Sequence, residues 1–167
     1  MKHSGRNIRR RLSLIGNRLS RARHFRGYGV HSPFVYSLIR KVFMNKHLFD
    51  GVGCELYDKL LDAQLPIKRA RELSNTMHHC ECSRYSIDEV SGEFVVLTAA
   101  YPTEQLATAY EEAKERGAIL AIVDPYLNRE RQVEVRRLIE QHHSTTIDNR
   151  YYILFFNNRL PKQHYRL

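Results

Sequence analysis

Hydrophobic positions in this chain follow two regimes. Up to about residue 76 they recur at helical spacing, and from Glu93 onward they come as short continuous runs between helical stretches. Phe94-Val-Val-Leu97 and Ala118-Ile-Leu-Ala-Ile-Val123 have the pattern of strands buried on both faces. Between them, Pro102-Thr103 opens a helix with Leu106, Ala109, Tyr110 and Ala113 on one face and Gly117 as its stop. Asp124-Pro-Tyr-Leu-Asn128 reads as a loop with Asn128 as N-cap, and Val135, Leu138, Ile139 and His142 mark the next helix. Ser144-Thr-Thr-Ile147 and Tyr151-Tyr-Ile-Leu-Phe-Phe156 are two strands linked through Asp148-Asn149-Arg150, a link short enough to predict an antiparallel hairpin. Right-handed crossovers make the first two of these strands parallel neighbours.

The N-terminal part is helical by pattern. Ile8, Leu12, Ile15 and Leu19 share one face of a first segment. Ser32 is a good N-cap with Pro33 at the first helical position, and Phe34, Val35, Leu38, Ile39, Val42 and Phe43 form a wide apolar stripe behind them. Residues 55–76 read as two helices broken at Pro66. The stretch from His78 to Ile87 fits a single extended strand. The chain thus divides into a basic amphipathic arm over residues 1–26, N-terminal helices over 27–76, and an α/β unit over 77–167.

Charge changes this picture. The net +9 of the 167 residues is uneven: before Asp50 there are 12 Lys and Arg and no acid, and the remainder holds 15 basic and 18 acidic side chains. A cationic arm is therefore attached to a mildly acidic body. Arg9, Arg10, Arg11, Arg18, Arg21, Arg23 and Arg26 are the candidate contacts with RNA, DNA or an anionic membrane surface, since clustered cations bind polyanions by counterion release. Packing on the body or on a protein partner is the other reading of the arm. Three cysteines, Cys54, Cys80 and Cys82, are too few for a disulfide framework, and point to a reducing, cytoplasmic setting. No apolar run reaches the length of a membrane span.

Candidate chemistry is sparse. His78-His79-Cys80-Glu81-Cys82 has metal-ligand residue types without a standard zinc spacing, so no metal is expected. Gly51-Val-Gly53 lacks the preceding strand and third glycine of a cofactor loop and reads as a turn. Asp124 is the one acid placed at the C-terminal end of a strand, where open α/β sheets bind ligands.

The strand, helix, strand, helix, hairpin order resembles the end of a class I S-adenosylmethionine-dependent methyltransferase. The likeness sharpens toward a bacterial group of such proteins through two runs: Gly29-Val-His-Ser-Pro-Phe-Val-Tyr36, and Thr146-Ile-Asp148 with Ile153-Leu-Phe-Phe156 and Leu160-Pro-Lys-Gln-His-Tyr165. The resemblance implies an α/β fold with a truncated Rossmann-like sheet of about four to five strands, ending in an antiparallel hairpin, with the N-terminal helices packed on it. It also implies an internal loss. The stretch between the N-terminal helices and Glu93 is too short for the donor-binding half, which needs two or three βα units of roughly 30 residues each. Where relatives carry an acid and a His after the fourth strand, this chain has Thr98-Ala-Ala-Tyr101; after the fifth it keeps only Asp124 of paired aspartates. Asp124 is thus the single cofactor-binding candidate.

The expectation is a degenerate methyltransferase-like protein acting as a non-catalytic binding or assembly module, with no cofactor. The partner would be a protein, or a second copy joined through an exposed sheet edge. Two alternatives stand beside it: an active methyltransferase whose S-adenosylmethionine site is improvised or completed by a partner chain, and a nucleic-acid-associated protein using the arm.

Overall fold

The computed structural model describes residues 31–167. The first arm helix and the seven arginines from Arg9 to Arg26 lie outside these residues. The described chain is a mixed α/β structure with one six-stranded sheet.

Helix α1 (Pro33–Leu38) begins where the sequence predicts, with the Ser32 side chain accepting from the Val35 N–H at 3.4 Å and Pro33 in the first turn. A single π-helical turn over Ile39–Phe43 extends it. Helices α2 (Gly53–Asp62) and α3 (Ile67–His79) are separated at Pro66 as expected. Gly53 is explained by packing: a Cβ there would lie 2.8 Å from the Ser74 carbonyl oxygen, so only glycine lets α2 approach α3 this closely.

Helix α3 is longer than its pattern predicts. His78 and His79 are its last turn, so the extended strand expected from His78 to Ile87 is corrected. Leu73 and Met77 are fully buried and hold the helix on the core for one more turn. A Schellman motif then ends it. Glu81 takes the left-handed conformation at φ 56°, Cys82 N–H donates to the Met77 carbonyl at 3.1 Å, and Glu81 N–H to that of His78 at 3.0 Å. Only Tyr85–Ile87 remain as strand β1.

The other strands are β2 (Phe94–Leu97), β3 (Ile119–Val123), β4 (Thr145–Asp148), β5 (Tyr152–Phe155) and β6 (Gln163–Arg166). Helices α4 (Leu106–Glu115) and α5 (Arg129–Gln141) connect β2 to β3 and β3 to β4. The sheet order is β1-β2-β3-β5-β4-β6. β1, β2 and β3 are parallel, β5 is antiparallel to both β3 and β4, and β6 runs parallel to β4.

Two expectations are corrected by this order. The sheet has six strands where about four to five were expected. The hairpin β4–β5 is antiparallel as predicted, but it is not the end of the sheet: β5 turns back between β3 and β4, and the Leu160–Tyr165 run continues into β6 on the outer side of β4. The edge of β2 is covered by β1, which makes β1 one edge and β6 the other.

The β1–β2 connection is only Asp88–Glu93, far shorter than the dozen or more residues usual between parallel strands. Ser86 Oγ organises it, donating to the Glu89 carbonyl at 2.5 Å and accepting from the N–H groups of Ser91 and Gly92 at 3.3 and 3.1 Å. A Cβ on Gly92 would meet the Tyr85 carbonyl carbon at 2.5 Å, so the strap lies directly on the strand it returns past.

Two cores flank the sheet. One joins Val35, Leu38, Leu56, Leu60, Leu73 and Met77 of the N-terminal helices to Phe94, Val96, Ala121, Ile147 and Leu154. The other joins Leu106, Tyr110, Val135 and Leu138 to Val95, Leu97, Leu120, Ile122, Ile153 and Phe155. Neighbouring residues of β2 enter opposite cores, which is why Phe94-Val-Val-Leu97 is apolar throughout. Each such large side chain contributes roughly 1.5–3 kcal/mol by leaving water. No described helix is long and apolar enough to cross a membrane.

Candidate functional site

Asp124 directs attention to the C-terminal ends of β1, β2 and β3, where ligands enter sheets of this kind. Each strand end presents carbonyls or a carboxylate. β1 runs into Asp88, held at φ 54°. Its carboxylate accepts from the Thr98 N–H at 2.6 Å and the Thr98 hydroxyl at 2.7 Å, tying the end of β1 to the end of β2. β3 runs into Asp124, also left-handed at φ 46°. The Asp124 N–H donates to the Tyr151 carbonyl at 2.7 Å, which fixes the end of β3 against the hairpin turn.

Between these ends lies Arg131, from the first turn of α5, with 1% of its surface exposed. Asn128 caps the helix, its side-chain oxygen accepting from the Arg131 N–H at 2.8 Å, and so sets where the side chain starts. Arg131 Nη1 donates to the Tyr101 carbonyl at 2.9 Å, and Nη2 donates to the carbonyls of Thr98 and Val123 at 2.8 and 3.1 Å. One planar guanidinium thus binds the last carbonyls of β2 and β3 and the loop that follows β2. Burial lowers its pKa, and the nearby charges of Asp124 and Asp88 oppose that shift.

A second polar cluster stands behind the hairpin. Glu72 of α3 is 2% exposed and accepts from Arg69 at 2.6 Å, from the Tyr152 hydroxyl at 3.1 Å and from Asn149 at 3.3 Å. Burial and the Glu72 charge push the Tyr152 phenol well above its ordinary pKa, so it remains a donor. Arg69 also stacks on the Tyr151 ring at 3.9 Å. Asp148, at the end of β4, accepts from the Tyr126 hydroxyl at 2.6 Å and from the Arg150 N–H at 2.7 Å.

This arrangement brings Asp124, Asp88 and Arg131 to one end of the sheet, where Arg131 Nη1 and Nη2 and the Asp88 carboxylate are hydrogen-bonded while the buried Arg131 Nε has no partner among the described residues. The His78–Cys82 run splits between a helix end and a turn, and the described residues hold no group of three or more His, Cys, Asp or Glu placed for a metal. Burial raises the thiols of Cys80 and Cys82 to about 12 and about 11, which keeps them neutral.

Sequence reading found Asp124 but missed Arg131, Asp88 and Glu72. For Arg131 a signal existed: residues 131, 135, 138 and 142 share the buried face of α5, so an arginine there interrupts an otherwise apolar stripe. Glu72 carried no such mark, since Lys68, Arg69 and Arg71 beside it make it look like part of a solvated surface. No protein-family model, curated protein or solved structure matches this chain.

Proposed function

We propose that this protein is a degenerate, non-catalytic relative of the class I methyltransferases, built on a truncated Rossmann-like sheet and acting as a binding or assembly module. The strand, helix, strand, helix, hairpin order supports the ancestry, together with the GVHSPFVY run at α1 and the LPKQHY run at β6. The observation that carries the non-catalytic reading is Arg131. Its guanidinium fills the C-terminal ends of β2 and β3 and takes up the carbonyls that would otherwise face a ligand. Asp88 spends its carboxylate on Thr98 in the same place. Contact with a partner falls in this reading to the sheet edges and to the cationic arm, whose charge favours an acidic surface or a nucleic acid.

Isothermal calorimetry of the full chain with S-adenosylmethionine and with S-adenosylhomocysteine tests this. No binding heat is expected from either. A micromolar dissociation constant for either compound would overturn the non-catalytic reading and favour an improvised donor site.

A further inference from the structure

Outside the strand ends that Arg131 fills, cations and exposed aromatic rings are joined by bonds between α3, the β4–β5 turn and the loop after β3. Buried Glu72 of α3 accepts from Arg69 at 2.6 Å and from Asn149 of the turn at 3.3 Å. It thereby sets Arg69 against the turn, and the Arg69 guanidinium stands over the Tyr151 ring at 3.9 Å. The Tyr151 backbone is fixed on both sides. Its N–H donates to Asn149 Oδ1 at 3.2 Å, and its carbonyl accepts from the Asp124 N–H at 2.7 Å. Tyr126, in the loop that begins at Asp124, is anchored through its hydroxyl to Asp148 at 2.6 Å. Both rings stay outside the two cores, with 42% of Tyr151 and 41% of Tyr126 exposed. Ile67 and Leu127 are exposed on the same segments.

The exposed charge on these elements is mostly positive. Lys68 and Arg150 are exposed, and Arg71 is half-buried. Arg71 Nη1 donates to the Lys46 carbonyl at 3.0 Å. This bond joins to α3 the segment over residues 31–49, which carries exposed Arg40, Lys41 and Lys46 and no acid. Of the acids on or beside these elements, Glu72 and Asp148 are buried, Asp124 is half-buried and Asp50 is exposed. Cations around aromatic rings held in place match the chemistry of a single-stranded nucleic acid, whose phosphates meet the cations while an unpaired base stacks on a ring. An acidic peptide offers the charge but no base to stack.

We propose that this face binds a single-stranded nucleic acid. A base completes an Arg69–Tyr151–base stack, and phosphates lie on Arg150, Lys68 and Lys46. The inference rests on the binding-module reading and names its partner, adding to the cationic arm a contact surface within the folded part.

An amide-resolved NMR titration of the full chain tests it. The probes are octamers of oligouridylate and oligothymidylate; inorganic polyphosphate and octaglutamate carry charge without bases and serve as comparisons. Saturable shifts of the Asn149, Arg150 and Tyr151 amides are expected with at least one octamer, at lower concentration than with either comparison. Tighter binding of oligouridylate assigns the face to RNA, and tighter binding of oligothymidylate assigns it to DNA. Tyr151→Ala is expected to weaken octamer binding about tenfold, the loss of one stacked base, and to leave polyphosphate binding unchanged. Arg150→Gly removes a cation from a left-handed position, φ 76°, where glycine is preferred. It is expected to weaken binding about threefold without lowering Tm. No shift at these amides, the result if the arm alone binds, overturns the proposal. So does equal or tighter binding of polyphosphate, or of octaglutamate, which would mark a face for acidic proteins. Octamer binding left unchanged by Tyr151→Ala overturns it too. Micromolar binding of S-adenosylmethionine would overturn the non-catalytic reading without altering these shifts, so the two fail separately.

Discussion

At the C-terminal ends of the parallel strands, a buried cation and two carboxylates tie distant segments together: Arg131 with three carbonyls, Asp88 with Thr98, Glu72 with Arg69, Asn149 and Tyr152. At the N-terminal ends the bonds are donated by backbone and neutral groups: Glu93 Oε2 accepts from Ser83 and from the Arg84 N–H, and Asn157 Nδ2 donates to the Ala118 carbonyl. The two ends belong to one sheet and differ in whether a buried cation is supplied from inside. The end where ligands enter most α/β sheets is used here to hold strands together.

Removing the internal cation is the strongest way to break this contrast. Arg131→Ala leaves the carbonyls of Thr98, Tyr101 and Val123 without their donor in a buried space, and should destabilise the fold by about 3–5 kcal/mol. Urea unfolding measures this. A loss below about 1 kcal/mol would mean that water replaces the guanidinium readily, and that this end is open after all.

The next effect concerns the other end and is read by pH. His142 is fully buried after α5, and its Nε2–H donates to the Phe156 carbonyl at 3.3 Å. The Tyr110 hydroxyl donates to its Nδ1 at 2.9 Å. Burial, reinforced by His143, Lys114 and Lys162 and opposed by the Phe156 carbonyl, lowers its pKa to about 4. In the unfolded chain the ring takes a proton near its ordinary value of about 6.5, while in the folded protein it does so only near 4. Stability from this group is therefore complete above about pH 7, falls as pH drops toward 4, and changes no further below that. The loss should reach about 3 kcal/mol, and His142→Gln should flatten this part of the pH profile.

A smaller effect tests the strap between the two ends. Gly92→Ala places a methyl group on the backbone of Tyr85 and should cost about 2 kcal/mol, comparable with other overpacked sites. Hydrogen exchange should then show β1 opening before the rest of the sheet. If β1 stays protected, the close approach is relieved by a local shift and the strap is not what seats the strand.

Much of the fold was legible in the sequence because it is local. Ser32 and Pro33 start α1, Asn128 starts α5, and Pro66 separates α2 from α3, each through contacts within a few residues. The apolar runs at Phe94–Leu97 and Ile119–Val123 declare strands covered on both faces. The tight turn after Asp148 declares a hairpin. Asp124 was legible as a strand-end acid, since its place follows from the same runs.

What only the tertiary structure decided is non-local. A hairpin can join the sheet by either of its strands, and the sequence does not say which; pairing of Leu120–Val123 with β5 places β5 between β3 and β4. β1 is three residues long and exists because β2 offers an open edge to pair with. The roles of Arg131 and of Glu72 follow the same rule. Whether a charged side chain is solvated or buried depends on carbonyls and hydroxyls brought from distant parts of the chain. Periodicity can show that Arg131 lies on a buried face. Only the assembled strand ends supply the three carbonyls that make its burial favourable.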